Sequence, residues 1–298
     1  MTPAHHRPHR RRRTTLSITQ NSPTAAGSGA SASESFKASK ERRGPAGTTH
    51  ERVSTVISAI LKGVHAAIGD NDVTYPEFQA AKGWLMEVGE TGEWPLFMDV
   101  FVEHVVEEVA SRAQHGTKGT IEGPYYLPDQ VHLPSTAVLP HRDDEAGTPL
   151  TLSGQVRDLD GTPLAGAEVD IWHADSDGFY SGFAPGIPDG NLRGVVVTDE
   201  DGRFSISTVQ PAPYQIPTDG PTGKMIEAAG WHPWRPAHLH IMVRAEGHRS
   251  VTTQLYFAGG DWLDSDVAEA VKPELVLDPK VDDSGFARET YDFELERD

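Results

Sequence analysis

The sequence has no cysteine among its 298 residues. That excludes a disulfide framework, a thiolate metal site and a cysteine nucleophile, so any metal must be held by His, Asp, Glu, Tyr or backbone oxygen. No run of 18 consecutive apolar residues occurs, so no membrane span is expected. Basic residues are scarce. Lys and Arg number 26 against 44 Asp and Glu, a net charge of −18, which favours solubility and argues against a nucleic-acid surface. The scarcity is uneven: residues 1–50 hold nine Lys or Arg, with Arg7 and Arg10 to Arg13 among them, and only two acids. These arginines resemble a secretory n-region, but "TTLSITQNSPTAAGS" follows where an apolar core is required. A cytoplasmic protein is expected.

Residues 1–50 are rich in Ser, Ala, Gly, Thr and Pro. Such a segment buries too little to offset its ordering entropy, so a disordered basic tail is expected. Helical periodicity begins next, with Val53, Val56, Ile57, Ile60, Leu61, Val64 and Ile68 on one stripe. Thr74 and Glu77 make a capping box for a second helix. A third runs through "WPLFMDVFVEHVVEEVASRAQ". These three predict a compact helical unit over 51–115.

The period then changes. "LTLSGQVRDLDGTPLAGAEVDIWHA" and "GVVVTDEDGRFSISTV" each read as strand, Asp-Gly turn, strand. "AHLHIMVRAEGHRSVTTQLYF" gives two strands about Gly247, and "DSDVAEAVKPELV" reads as a short helix. The predicted fold is mixed and mainly β: an antiparallel β-sandwich over 116–298 behind the helical unit.

In "RPAHLH", His238 and His240 are two apart on a predicted strand and face one side. Read alone, the pair fits a metal clamp or two polar residues on one face. No nearby carboxylate completes a zinc or ferrous triad. Tyr180 in "DIWHADSDGFYSGF" and Tyr214 in "VQPAPYQIPTDGPTG" lie in polar or proline-rich loops, where function concentrates. Each alone also fits a packing residue; with the histidines they make a Tyr, Tyr, His, His set.

"IEGPYYLP", "DIWHADSDGFYS", "PAPYQIPTDGPTG" and "RPAHLH", in this order, resemble the intradiol ring-cleavage dioxygenases. "VGETGEWPLFMDVFVEHVVEEV" and "TTQLYF" resemble the catechol 1,2-dioxygenase branch, especially its actinobacterial members. The resemblance covers about 51–298. It implies ferric iron, Fe(3+), held by Tyr180, Tyr214, His238 and His240, and cleavage of catechol with O2 to cis,cis-muconate in aromatic catabolism. It implies that Tyr214 takes a substrate proton, that Arg235 stabilises charge developing on the ring, and that Gln254 supports the site. His173 belongs to the motif without being a ligand. A substrate pocket is implied at Leu96, Asp99, Val100, Ile121, Gly123, Pro124, Tyr125, Ile216, Pro217, Arg235, Val267 and Ala268. Asp99 departs from the proline of the proteobacterial branch. A homodimer through the N-terminal helices, with a bound phospholipid there, is implied too. Chlorocatechol or hydroxyquinol cleavage is the alternative within the class, and a transthyretin-like β-sandwich binding module is the non-enzymatic one.

Overall fold

The computed structural model describes residues 49–298. The expectation of a disordered tail falls on residues of which all but Thr49 and His50 lie outside that range. Four helices come first: α1 (His50–Asp70), α2 (Tyr75–Thr91), α3 (Trp94–Phe101) and α4 (Glu103–Ser111). The capping box forms, with Thr74 receiving the Glu77 N–H and the Glu77 carboxylate receiving the Thr74 N–H.

Two expectations for this region are corrected. The third helix is two. Val102 leaves helical geometry at φ −130°, ψ −32°, and Glu103 beyond the break accepts the N–H groups of Glu122 and Gly123 at 2.9 and 3.2 Å. The unit is also not compact, because α1 buries none of its residues. Its stripe from Val53 to Ile68 is 37–55% exposed. α1 is the one helix among the described residues long and apolar enough, by length and composition alone, to span a bilayer. Arg52, Thr55, Lys62 and Asp70 interrupt it, leaving one apolar face, the pattern of a helix that packs on one side.

The short strands are β1 (His132–Leu133), β2 (Thr136–Val138), β11 (Val276–Leu277), β12 (Lys280–Val281), β13 (Ala287–Thr290) and β14 (Phe293–Leu295). With the longer strands named next, they make two six-stranded sheets, in the orders β1-β5-β4-β9-β10-β11 and β12-β13-β3-β6-β2, with β14 also pairing β3. The strands that frame the site are β4 (Glu168–His173), β5 (Arg193–Val197), β9 (His238–Arg244) and β10 (Val251–Phe257). In the other sheet β3 (Pro149–Asp158) pairs antiparallel with β6 (Arg203–Val209). The sheets are mixed rather than purely antiparallel. Five short pairings run parallel: β1 with β5, β11 with β10, β2 with β6, and β13 and β14 with β3. Each involves only two to four residues, so a loop delivers the strand from either direction at little cost.

Both Asp-Gly turns form, with Gly161 at φ +83° and Gly202 at φ +69°. They pass the chain between sheets, since β3 and β6 lie in one and β4 and β5 in the other. The expected helix in "DSDVAEAVKPELV" is replaced by turns and a 3-10 segment, Pro273–Leu275, because Asp266 captures the N–H groups of Ala268 and Ala270 that a helix would use. One helix was not expected: α5 (Pro221–Ala229), with Pro at its start and Gly230 in the left-handed region at its end.

Strand parity builds the site. Along β9, Leu239, Ile241 and Val243 enter a cluster shared with Leu150, Leu152, Phe204 and Ile206 of the other sheet. His238, His240 and Met242 face the opposite way. A second cluster covers that face, with Leu96, Val100, Ile121, Tyr125, Trp172, Tyr180, Tyr214, Ile216, Met242 and Ala268. The first sheet is thus buried on both sides, and the polar residues of "RPAHLH" lie between it and the loops and helices above.

Candidate metal centre

Register sets one row of the site. Arg193 pairs with Trp172, Trp172 with His240, and His240 with Gln254. The Trp172 ring stacks on His240 at 4.8 Å and 8°, fixing that imidazole. His238 is fixed by a 2.7 Å Nδ1 contact to the Pro236 carbonyl. Its Nδ1 is therefore the protonated nitrogen, and its Nε2 lone pair faces the site. The two Nε2 atoms converge to 3.0 Å. Metal–imidazole bonds of about 2.0–2.1 Å, set at a right angle, place two nitrogens about 3 Å apart.

The tyrosines close the figure. Tyr214 lies on a two-stranded ribbon, β7 (Tyr214–Gln215) with β8 (Trp234–Arg235), directly opposite Arg235. Tyr180 follows a turn in which Asp175 Oδ1 accepts the N–H groups of Asp177 and Phe179. Ring centroids run His238 to His240 4.6 Å, His240 to Tyr180 6.0 Å, Tyr180 to Tyr214 5.4 Å and Tyr214 to His238 5.6 Å. All four side chains are at most 5% exposed. The Tyr180 hydroxyl and His240 Nδ1 make no hydrogen bond.

Burial, with Arg235 reinforcing it, holds His238 down at about 3. Burial and His238 hold His240 well below the usual histidine range. Burial raises the phenols of Tyr180 and Tyr214. Four neutral rings thus face one another, with the His238 Nε2 lone pair turned to the site and two phenols that ionise only beside a cation. Among the described residues no group of three His, Asp or Glu that could hold a metal forms; the side chains that face one another here are two phenols and two imidazoles.

Arg235, 2% exposed, sits at the edge of the rings, with Nη1 3.3 Å from His238 Nε2. Asp266 grips it at 3.0 and 2.9 Å. Gln254 Oε1 accepts from Arg235 at 2.8 Å and from Tyr256 at 2.7 Å, while its Nε2 donates to the Ile121 carbonyl at 2.9 Å. His173 turns away to Thr208 and the Ala174 carbonyl.

Of the pocket residues, Leu96, Val100, Ile121, Tyr125, Ile216 and Ala268 pack in one cluster with Tyr180 and Tyr214, and Val267 lies against it. Pro217 joins Tyr125, Tyr180 and Tyr214 around a cavity of about 550 Å³. A Cβ on Gly123 would stand 3.4 Å from His240, so the 121–125 loop lies directly over the imidazoles; Pro124 is buried in it. Asp99 is half-buried on α3, one turn after Leu96. A larger cavity, about 730 Å³, opens between Trp84, Phe97 and Trp231 and touches none of the four rings.

Sequence reasoning passed over Trp172, Arg193, Tyr256 and Asp266. Trp172 and Tyr256 stand inside the quoted stretches "DIWH" and "TTQLYF" and Arg193 in none, but what each of the three touches follows from strand register. Asp266 was hidden in the expected helix.

The family model described as "Catechol dioxygenase N terminus" matches residues 50–118, and the one described as "Dioxygenase" matches residues 121–297. A chlorocatechol 1,2-dioxygenase of Rhodococcus opacus is 44% identical, over 75% of this chain and 88% of its own. A catechol 1,2-dioxygenase of Acinetobacter baylyi is 36% identical, over 76% of each. The crystal structure of 3-chlorocatechol 1,2-dioxygenase from Rhodococcus opacus 1CP superposes with a TM-score of 0.80 at 45% identity, covering 84% of this chain and all of that one. With both of its parts matched and relatives of this identity along most of its length, the chain belongs to the intradiol ring-cleavage dioxygenases.

Proposed function

We propose that the protein cleaves monocyclic catechols between the two hydroxyl-bearing carbons, using O2 at a ferric iron held by Tyr180, Tyr214, His238 and His240, and that catechol gives cis,cis-muconate. The supporting observation is the closed figure of four buried rings with its two Nε2 atoms 3.0 Å apart. The donor set suits a hard trivalent cation: two phenolates offset most of its charge and two neutral imidazoles complete the protein's share. When bound, the iron would supply Lewis acidity towards the diol oxygens and accept electron density from the deprotonated diol, which activates the ring towards O2.

The chain's own groups do the rest. Tyr214 is on a short loop ribbon opposite Arg235, so it can swing out, and its Oη accepts a proton from a substrate hydroxyl. Tyr180, packed under Tyr125 at 4.3 Å, stays in place. Arg235, held by Asp266, sets a fixed positive charge beside the ring as negative charge develops on it. Apolar walls from Leu96, Val100, Ile121, Ile216, Val267 and Ala268 exclude water and orient a flat diol.

Chlorinated catechols are a second reading, favoured by the relative and the solved structure that carry that name. Ala268 leaves that wall small, and the bulk of Tyr125 limits substituents at the 3-position. One methyl-sized difference in such a wall is worth about 1–3 kcal/mol, or about 10–200-fold, so the preference is one of degree. The test is turnover under ¹⁸O2 with catechol, 4-methylcatechol, 3-chlorocatechol and hydroxyquinol. Both labelled atoms should appear in a ring-opened diacid. Cleavage outside the diol, or a product holding one label, would overturn the reading. The exposed stripe of α1 supports a homodimer through the N-terminal helices, with a phospholipid as a further occupant of that face.

A further inference from the structure

Arg193 is a buried cation that contacts no carboxylate among the described residues. It is 1% exposed. Its terminal nitrogens donate to the carbonyls of Tyr125 and Ser181, each at 2.9 Å, and its Nε has no partner. Asp170, on the same face of the sheet, is taken by Arg244 and Tyr126 at 3.3 Å each. Burying a charge without a counter-charge is unfavourable, so a folded chain keeps one only where something offsets it. The guanidinium carbon stands 5.9 Å from the ring centroids of Tyr180 and Phe183. Arg193 also shares a register row with His240, through Trp172.

We propose that Arg193 is a positioning residue for Tyr180, fixing the ring of that ligand and setting a permanent positive charge beside it. The inference rests on the assignment of Tyr180 as a metal ligand made above. Tyr125 belongs to the pocket wall and Ser181 to the ligand loop, so one guanidinium sets how the two meet. The outcome is the Tyr125–Tyr180 stack at 4.3 Å and 8°. The charge adds an asymmetry. Arg235, beside Tyr214, is paired in contact with Asp266, whereas no described carboxylate touches Arg193 and Asp170 acts on it only from a distance. A phenolate beside a cation with no acid in contact is less basic and harder to protonate, so it remains in place, while the one beside the paired cation is more easily protonated and released.

The test compares full-length wild type, Arg193→Gln and Arg193→Lys, each loaded with ferric iron, by visible spectrum and by competition with a graded chelator. Removing the charge makes transfer of an electron from tyrosinate to iron easier. The Gln chain should therefore absorb at longer wavelength and bind iron about 10- to 100-fold more weakly, the usual effect of losing a group that orients a ligand. The Lys chain should keep the band near the wild-type position and lose affinity several-fold, because it retains the charge but not the two-carbonyl fork. If the wild type shows no tyrosinate band, the ligand assignment itself fails. If the wild-type band is present and both variants match it in position and affinity, Arg193 has no such role. Should the Gln chain not fold, the Lys chain decides: wild-type affinity in it overturns the proposal.

Discussion

Single residues here carry their roles through what grips them. Asp266 touches no proposed iron ligand, yet it holds Arg235 in a two-point pair with both side chains 2% exposed. Asp266→Asn leaves that guanidinium buried and unpaired, which costs about 3–5 kcal/mol. The thermal midpoint should fall and kcat should drop about 10- to 100-fold, while iron content by metal analysis stays at the wild-type value. Loss of iron in step with activity would instead make Asp266 part of the metal site. His173 is a buried imidazole that burial holds down at about 4. The unfolded chain takes up this proton near 6.5, so its stabilising contribution is complete above about pH 6.5 and is lost as pH falls towards 4. The slope is about 1.4 kcal/mol per pH unit. Denaturant unfolding of the metal-free protein at pH 7 and 5.5 should show His173→Gln losing less stability than wild type by about that slope; equal losses would refute it. At this scale the four proposed ligands, Arg235 and Gln254 were legible because each stands in a short motif. Arg193 stands in no such motif, and Trp172, although inside "DIWH", meets the site only across strands whose pairing no local pattern specifies.

At the level of elements, periodicity was a sound guide where one face is buried by its own neighbours and a poor one where a side chain competes for backbone. Thr74 and Glu77 were read correctly since their cap is local. The break at Val102 was missed because its cause, the Glu103 carboxylate serving Glu122 and Gly123, is 19 and 20 residues away in sequence. Asp266 likewise unmade the expected late helix. The ligand loops depend on one backbone position: Gly178 has φ +87°, and a Cβ there would come within 2.8 Å of Tyr214 Cβ. Gly178→Ala meets a left-handed conformation costing about 1–2 kcal/mol and pushes Tyr214 aside. Its thermal midpoint should fall and its tyrosinate–iron absorption weaken. An unchanged spectrum would show that the Tyr214 loop is not held from this side.

The whole molecule has a feature that no single element explains. Helix α1 presents seven large apolar side chains, from Val53 to Ile68, and buries none of its residues, an arrangement that calls for a partner surface. Sedimentation should therefore give twice the 32.4 kDa chain mass, and Ile60→Glu should yield monomers that still bind iron. A monomeric wild type at micromolar concentration would leave the stripe without that purpose. The stripe itself was plain in the sequence. That it finds nothing to pack on among the described residues was not, because a 3.6-residue period reports a buried face without saying what buries it. The passage of β3 to β4 and of β5 to β6 between sheets was equally hidden, since an Asp-Gly turn looks the same whether it closes a hairpin or joins two layers.

The most direct measurement is the visible spectrum of the iron-loaded protein, taken before and after catechol is added without oxygen. About one iron per chain, a broad tyrosinate-to-iron band, and a change in that band as the diol displaces Tyr214 are expected. His238→Ala and His240→Ala should lose iron and colour together. A colourless protein that is fully active, or one that works with zinc in place of iron, would contradict the Tyr180, Tyr214, His238 and His240 centre outright.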